Sequence, residues 1–411
     1  MGLEMTDYID WELLQKENIV SKLEYLTLLE KMRPYERTPN ETLEVRLAKM
    51  LKSLPKEYHT AAIASVASTI YITEEMRIEA WESLFYQFKY DFRHNEHIDV
   101  NLNDVHFFEL DRDNLYDEFF RAANVRHIVP NPSIYGRLDD TSPFISVDIL
   151  IDYLMRLDSD TITDKEIFEL QELCRKKVWV LLVDISLSGD SVCSEIKKLN
   201  TIINKIFKLE DVDFNVFVQV LTAEGQRRIG SIQRKLGYGG FSLYSAINIP
   251  YSFAFNYEHN EDMAFSIYRN QMLSDKIEGL CNYFANYILK RDRCPLTKAI
   301  NKQYSENDKI KIAKYGYGGL GWNVVTQRNA PNNSLPFLWC SSDNYTPPFP
   351  RAESHGVPVV DSNIMTGMNE GSQINNSKKQ WVNEVLKSDK DSAGKRCEEI
   401  HSKYIARINK K

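Results

Sequence analysis

The stretch that most constrains this chain is Val178-Trp179-Val180-Leu181-Leu182-Val183, six apolar residues in a row closed by Asp184. A strand with one wet face alternates polar and apolar residues. An unbroken run of this length reads as a strand covered on both faces, as in a parallel sheet. The following segments keep the same rhythm. A helix is expected from about Asp190 to Phe207, a second apolar strand over Phe214–Leu221, a second helix over Gln226–Leu236 and a third strand over Phe241–Ile249, before a long helical stretch over Asp262–Lys290. Strands and helices alternating at these lengths argue for right-handed crossover units, an α/β fold with a parallel sheet.

Chemistry concentrates just past the first strand, in Asp184-Ile185-Ser186-Leu187-Ser188-Gly189-Asp190-Ser191. α/β sheets place ligands at the carboxyl ends of their strands, where Asp184 stands. Two readings fit the loop. In one, backbone N–H groups of Ser188, Gly189, Asp190 and Ser191 converge at a helix N-terminus and cradle an anion, with hydroxyls of Ser186 and Ser188 as further donors and Asp184 holding ribose hydroxyls or a divalent ion. In the other, Ser188 simply caps a helix and Asp184 closes a turn.

The first 125 residues read differently. Thr38-Pro39-Asn40-Glu41 is a capping box that opens a helix to about Ser53. Pro55 starts an alanine-rich helix through Ile70, and Thr73-Glu74-Glu75 a third carrying Trp81, Leu84, Phe85 and Phe88 at helical spacing. With the strand-like Val105–Leu110 behind them, these helices are compatible with a winged-helix module. The region holds 24 Asp and Glu against 14 Lys and Arg, a balance of −10 in a chain of net charge −7. Such a block repels phosphate backbones, so it suits a protein partner, or a basic surface of a nucleoprotein complex, better than DNA alone.

Residues 126–160 are expected to be loop-rich, broken by Pro130, Pro132, Gly136 and Pro143. Arg137, Asp139 and Asp140 lie there, either as a substrate-covering loop or as a salt-bridged surface turn. Past Asp361 the chain turns to Ser, Asn, Gly and Lys, and a flexible linker, a short helix near Lys379–Leu386 and a frayed end are expected. The boundaries that follow are a helical, winged-helix-like domain at 1–125, an α/β domain at 126–361 and a flexible tail at 362–411. Six cysteines show no CxxC spacing, so reduced, mostly buried thiols are expected. His94-x-x-His97, with Glu96 and His106 nearby, lacks further ligands at metal spacing and reads as a polar loop. The alternating Tyr244, Tyr251, Phe253, Phe255 and Tyr257 read as core. The apolar runs are too short to span a bilayer and no charged-then-apolar leader opens the sequence, which sets the expected location in the cytoplasm, away from any membrane.

The 178–191 segment is similar to the diphosphoribosyl-binding signature of type I phosphoribosyltransferases: an apolar strand, two acids, a variable pair and a small-residue phosphate loop. Aligned on Ser188-Gly189-Asp190-Ser191, Asp184 falls on the second acid, Val183 on the first, and Asp190 on a position usually small or basic. A second stretch, Asn329-Ala330-Pro331-Asn332-Asn333-Ser334-Leu335-Pro336-Phe337-Leu338-Trp339 with Pro348-Phe349-Pro350-Arg351, resembles the C-terminal signature of a divergent phosphoribosyltransferase-like family of bacterial conflict systems, including retron-linked anti-phage modules. Members of that family commonly carry an N-terminal winged-helix region, and the likeness covers most of residues 40–351. It implies a toxin-type antiviral effector whose reaction is substitution at ribose C1 of a phosphoribosyl donor or nucleotide. Asp184 would serve as the catalytic and Mg2+-binding acid, and Ser186, Ser188, Gly189, Asp190 and Ser191 would hold the 5′-phosphate. Arg328, Asn332, Asn333 and Arg351 join Arg137, Asp139 and Asp140 as candidate substrate contacts, and a reverse transcriptase with its RNA or DNA is the implied partner complex. Two other readings stand beside it. The missing first acid and Asp190 fit a nucleotide sensor or scaffold without turnover, and the helical N-terminal region fits a winged-helix DNA-binding regulator, which its negative charge opposes.

Overall fold

A computed structural model of the chain describes residues 40–96, 104–110, 146–236, 240–256, 271–288, 305–342, 344–351, 377–388 and 391–409, with positions 35, 115, 118, 119, 121, 122 and 296. They fall into two compact units, each discontinuous in sequence. One draws on Met1–Met76 and Ile249–Pro358, the other on Arg77–Asn248 and Val359–Lys411.

The second unit is the α/β body. Its sheet has the order β2-β3-β4-β5, formed by Val105–Glu109, Val178–Ser186, Asp213–Thr222 and Ser242–Ile249. β2 pairs parallel with β3, and β3 parallel with β4. The parallel α/β architecture read from the sequence is present. The strand expected behind a winged helix is instead β2 of this sheet, because its Val105, Phe107 and Phe108 bury against strand and helix neighbours that only tertiary folding brings together. Both faces are covered, which is why β3 is apolar from Val178 to Val183 and β4 is apolar at most of its positions. On one face Val178, Val180, Leu182 and Phe217 pack against Trp81, Leu84, Phe85 and Phe88 of α3 (Glu74–Glu96) and against Phe119. The other face buries Trp179, Leu181, Val183, Val216 and Val218 against a helical layer.

That layer contains α4 (Val147–Asp158), α5 (Asp164–Cys174), α6 (Asp190–Thr201, prolonged by a π-turn to Phe207) and α7 (Ala223–Leu236). α4 occupies a stretch expected to be loop. Its apolar face, Val147, Leu150, Ile151, Leu154 and Leu157, and its Ser146 cap are regular helix signals that the prolines upstream obscured. The tail also differs from expectation. Asp391–Ile408 forms a helix, α10, whose Cys397, Ile400 and Tyr404 enter the same core. Asp158 anchors it, accepting hydrogen bonds from Trp381 Nε1 at 2.8 Å and from Arg396 Nη2 at 2.8 Å. Three apolar residues at helical spacing among many polar ones are a weak sequence signal, and their burial decides the outcome.

In the first unit α1 (Leu43–Ser53) begins at Thr42, whose hydroxyl accepts from Val45 N–H, and α2 (His59–Ala67) packs its alanines inward. A parallel pair joins β1 (Ile70–Ile72) to β6 (Val324–Thr326). Asn323, 1% exposed, ties the end of α2 to β6: its Nδ2 donates to Ser65 O and Ser68 Oγ at 2.7 Å, and its Oδ1 accepts from Thr69 Oγ1 at 2.7 Å. Helices α8 (Gln271–Tyr283) and α9 (Glu306–Tyr315) complete this core with Trp339 and Phe349. Tyr251 stacks on Trp322 and Phe255 packs on Tyr315 in this unit, whereas Tyr244 packs on Phe88 and Phe217 in the other, so the aromatic series is not one strand, and of it Phe255 is buried while Tyr244, Tyr251 and Phe253 are half-buried. Tyr257 and His97 lie outside the described residues, and His106 is buried in β2 against Phe108. Cys174, Cys193, Cys281 and Cys397 are free thiols as expected. Cys340 is disulfide-bonded, a pairing that spacing rules miss because it depends on tertiary proximity.

Two substitutions test this description. Ile400→Ala should lower unfolding free energy in urea by about 2–5 kcal/mol, the usual result of truncating a fully buried aliphatic side chain. A change under about 0.5 kcal/mol would match an unpacked tail instead. Gly316, at φ +75°, leaves no room for a methyl group, since an added Cβ would stand 2.5 Å from Ser334 O and 2.8 Å from Asn332 O. Gly316→Ala should therefore cost about 2–5 kcal/mol by the same measurement, strain and clash together.

Candidate functional site

β3 runs past Asp184 and ends at Ser186, so Asp184 is the third residue from its carboxyl end, half-buried. Its Oδ1 accepts from Ile185 N–H at 2.5 Å. Alternation along the strand puts Asp184 on the side of Leu182, the α3 face, and Val183 on the opposite side. Val183, which stands where the signature's first acid falls, is fully buried among apolar side chains of the helical layer. A carboxylate there would be buried without a partner, which is the physical reason this strand presents one acid.

The loop that follows is fixed by α7. Thr222 Oγ1 donates to Leu187 O at 2.5 Å and accepts from Gly225 N–H at 3.0 Å, so one hydroxyl caps α7 and holds the loop. The glycines are dictated by contact. A Cβ on Gly225 would stand 2.7 Å from Ser186 O, and one on Gly189 would stand 3.1 Å from Gly225 O. Gly189 is the N-cap of α6 with φ +78°, and no side chain caps the first turn. Ser188 Oγ reaches Asp190 N–H only at 3.4 Å. The first-turn N–H groups, at the positive end of the helix dipole, are thus open to an anion. Ser186 Oγ, 3% exposed, has no hydrogen-bond partner among the described residues.

Asp190 is not a cap. It is exposed and ion-paired with Arg228 of α7, which also donates through Nε to Glu224 at 2.6 Å. Partial burial lowers the Arg228 pKa, but the Glu224 and Asp190 carboxylates outweigh it and leave it above its ordinary value. Burial, then the Asp190 charge, pushes the Cys193 thiol up, so this cysteine is no thiolate nucleophile at neutral pH.

The register sets a further group beside Asp184. Val183 pairs with Val218 and Ile185 with Val220, which brings Gln219 alongside it on the same face. Gln219 donates to Arg77 O at 2.9 Å and to Glu118 Oε1 at 3.3 Å, and Arg77 Nη2 donates to Glu118 Oε2 at 2.9 Å. All three are nearly solvent-free, at 0%, 4% and 4% exposure. Sequence reading passed over these residues, and over Thr222, Gly225 and Arg228. The available signal was Gln219 itself, a polar residue interrupting an apolar strand.

Of the residues singled out in the sequence, Asp184, Ser186, Ser188, Gly189, Asp190 and Ser191 come together here. Arg137, Asp139 and Asp140 lie outside the described residues. The remaining candidates belong to the other unit. Arg328 is paired with Glu74 at 2.9 Å, Asn333 Nδ2 donates to Tyr317 O at 2.7 Å, Asn332 O accepts from Tyr317 N–H, and Arg351 lies over the Trp339 ring. The Pro-Asn-Asn-Ser-Leu-Pro run shapes backbone there: Ser334 Oγ donates to Val324 O at 2.6 Å, and Ser334 O accepts from Trp339 Nε1 at 3.0 Å.

Gly225→Ala tests the loop's seating. It should destabilise the protein by about 1–3 kcal/mol in urea, the usual cost of forcing extra volume into a packed contact. An unchanged midpoint would show that the β3–α6 loop does not sit on α7.

No helix among the described residues is long and apolar enough to cross a membrane. No curated protein and no solved structure matches the chain at a significant level. The family model PRTase-CE matches residues 52–351, most of the chain and parts of both units. With its parallel α/β sheet and the loop built at the end of β3, the chain belongs to the PRTase-CE family and carries a phosphoribosyltransferase-like domain.

Proposed function

We propose that the chain is an effector of a bacterial conflict system, of the retron-linked anti-phage kind, and that it acts on a phosphoribosyl donor or nucleotide bound at the carboxyl end of β3. The observation that carries this reading is the loop itself: an uncapped helix start, a left-handed Gly189, and Asp184 on the strand leading into it. Family membership supports it. In the proposed reaction the C1–nucleophile bond of the ribose forms as the bond from C1 to the leaving pyrophosphate breaks. The first-turn N–H groups of α6 hold the 5′-phosphate, and Asp184 accepts hydrogen bonds from ribose hydroxyls as positive charge develops at C1.

Magnesium fits this edge as an ion shared with substrate. No three His, Cys, Asp or Glu of the described residues gather as a metal cage. Mg2+ ordinarily takes one or two carboxylates together with substrate phosphates, and Asp184 offers one. When bound, the ion would supply charge neutralisation for the pyrophosphate.

A second reading, a nucleotide sensor without turnover, is favoured by Val183 in place of the first acid. A partner, a protein or a nucleoprotein complex such as a reverse transcriptase with its nucleic acid, remains part of the proposal on the strength of the acidic N-terminal region.

Calorimetry with phosphoribosyl pyrophosphate and Mg2+, with an assay for released pyrophosphate, separates these readings. Binding with release supports the transferase, and binding without release supports the sensor. Asp184→Asn keeps the side chain's size and removes its charge. It should fold normally and lose about tenfold or more in affinity, as expected for removing a charged hydrogen-bond acceptor. Unaltered binding would remove Asp184 from the site.

A further inference from the structure

The β3–α6 loop carries a charge that phosphate loops ordinarily avoid, the Asp190 carboxylate at the first helical position. Its partner is Arg228 Nη1. Arg228 Nε donates to Glu224 Oε1 at 2.6 Å, and Glu224 is independently held by Arg227 Nε and Nη2, both at 2.7 Å. Two guanidiniums and two carboxylates thus cancel at the rim of the loop. Arg228 is rooted in contact with it, its Cβ being 3.2 Å from where a Gly189 side chain would begin. A separate observation lies at the loop's root. Ser186 Oγ, buried and without a partner among the described residues, stands 3.2 Å from where a Gly225 Cβ would be, an unused donor beside the same contact.

The Asp190–Arg228 pair is solvent-accessible, with side-chain exposures of 62% and 36%. Pairs of this kind contribute little, since water and salt screen them. A phosphate monoester offers a guanidinium more charge and a two-oxygen face, and so competes well for it. We propose, on the phosphate-loop reading above, that Arg228 binds the phosphate of the ligand and that Asp190 is its internal competitor. The ligand enters by exchanging one anion for another. Asp190 keeps Arg228 beside the loop until a phosphate replaces it, and an unphosphorylated sugar, which cannot displace a carboxylate, is rejected.

The two residues then have opposite effects, which a structural ion pair would not produce. The test is calorimetry of the full chain with ribose 5-phosphate, and with ribose as the control, for wild type, Asp190→Asn, Arg228→Gln, Arg228→Lys and the double variant Asp190→Asn/Arg228→Gln. Both side chains are at the surface, so thermal melts within a few degrees of wild type are expected throughout. Asp190→Asn should bind about two- to fivefold tighter, the scale of an exposed ion pair. Arg228→Gln should bind about tenfold or more weaker, with Arg228→Lys between it and wild type. The gain from Asp190→Asn should vanish in the Arg228→Gln background, because Asp190 acts through Arg228. Weaker binding by Asp190→Asn, unchanged binding by Arg228→Gln, or a gain that persists in the double variant overturns the proposal while wild-type binding leaves the loop reading standing. Absence of ribose 5-phosphate binding in all five proteins overturns both.

Discussion

The parallel pairing of β3 with β4 is the interaction on which the candidate site depends. Its register places Val183 beside Val218 and Ile185 beside Val220, so the two strands end together and their helices start together. α6 and α7 then approach at their first turns, closely enough that Gly189 and Gly225 touch backbone to backbone. Thr222 fixes the approach by bonding to the neighbouring loop's carbonyl at Leu187. Shifting the register by one residue would turn Asp184 toward the apolar helical layer and bring Val183 to the α3 face. The acid, the loop and the charged rim formed by Asp190, Arg228 and Glu224 all follow from that one alignment.

Beneath the same edge lies the array of Arg77, Glu118 and Gln219. Burying an ion pair removes two charges from water, and mutual attraction rarely returns more than that desolvation costs. Apolar residues of similar volume would pack this position at least as stably. What the array supplies is a polar wall with a defined geometry: Gln219 is bonded to α3 through Arg77 O and to Glu118, and it lies directly beside Asp184. The apolar floor made by Leu182 and Phe217 thereby gives way to polar groups at the level of the acid, on the face where a ligand would meet it.

Much of this edge was legible in the sequence because its signals are local. An unbroken apolar run of strand length reads as a doubly covered strand, and small residues between a strand and a helix read as a tight turn, so β3, β4, α6 and α7 emerged close to their observed limits. Long-range pairing was not legible. Nothing local says that Val105–Glu109 joins β3, that residues 43–67 share a core with residues beyond 271, or that Arg46 in α1 hydrogen-bonds Pro348 O while Tyr35 packs on Phe349. Those last contacts hold the Pro-Phe-Pro-Arg stretch from residues some three hundred positions earlier in the chain. Asp190 was legible as an anomaly but not as an ion pair, because its partner lies a whole strand and helix turn away, and α10 was hidden by its polar exterior.

Hydrogen–deuterium exchange with and without phosphoribosyl pyrophosphate and Mg2+ tests the central claim directly, because it reports which backbone N–H groups a ligand covers. The account predicts slowed exchange confined to peptides spanning 184–193 and 222–228, where the N–H groups of the β3–α6 loop and the first turn of α7 lie. Protection that left those peptides unchanged and appeared instead over residues 316–351 would contradict it, and would move the ligand to the other unit.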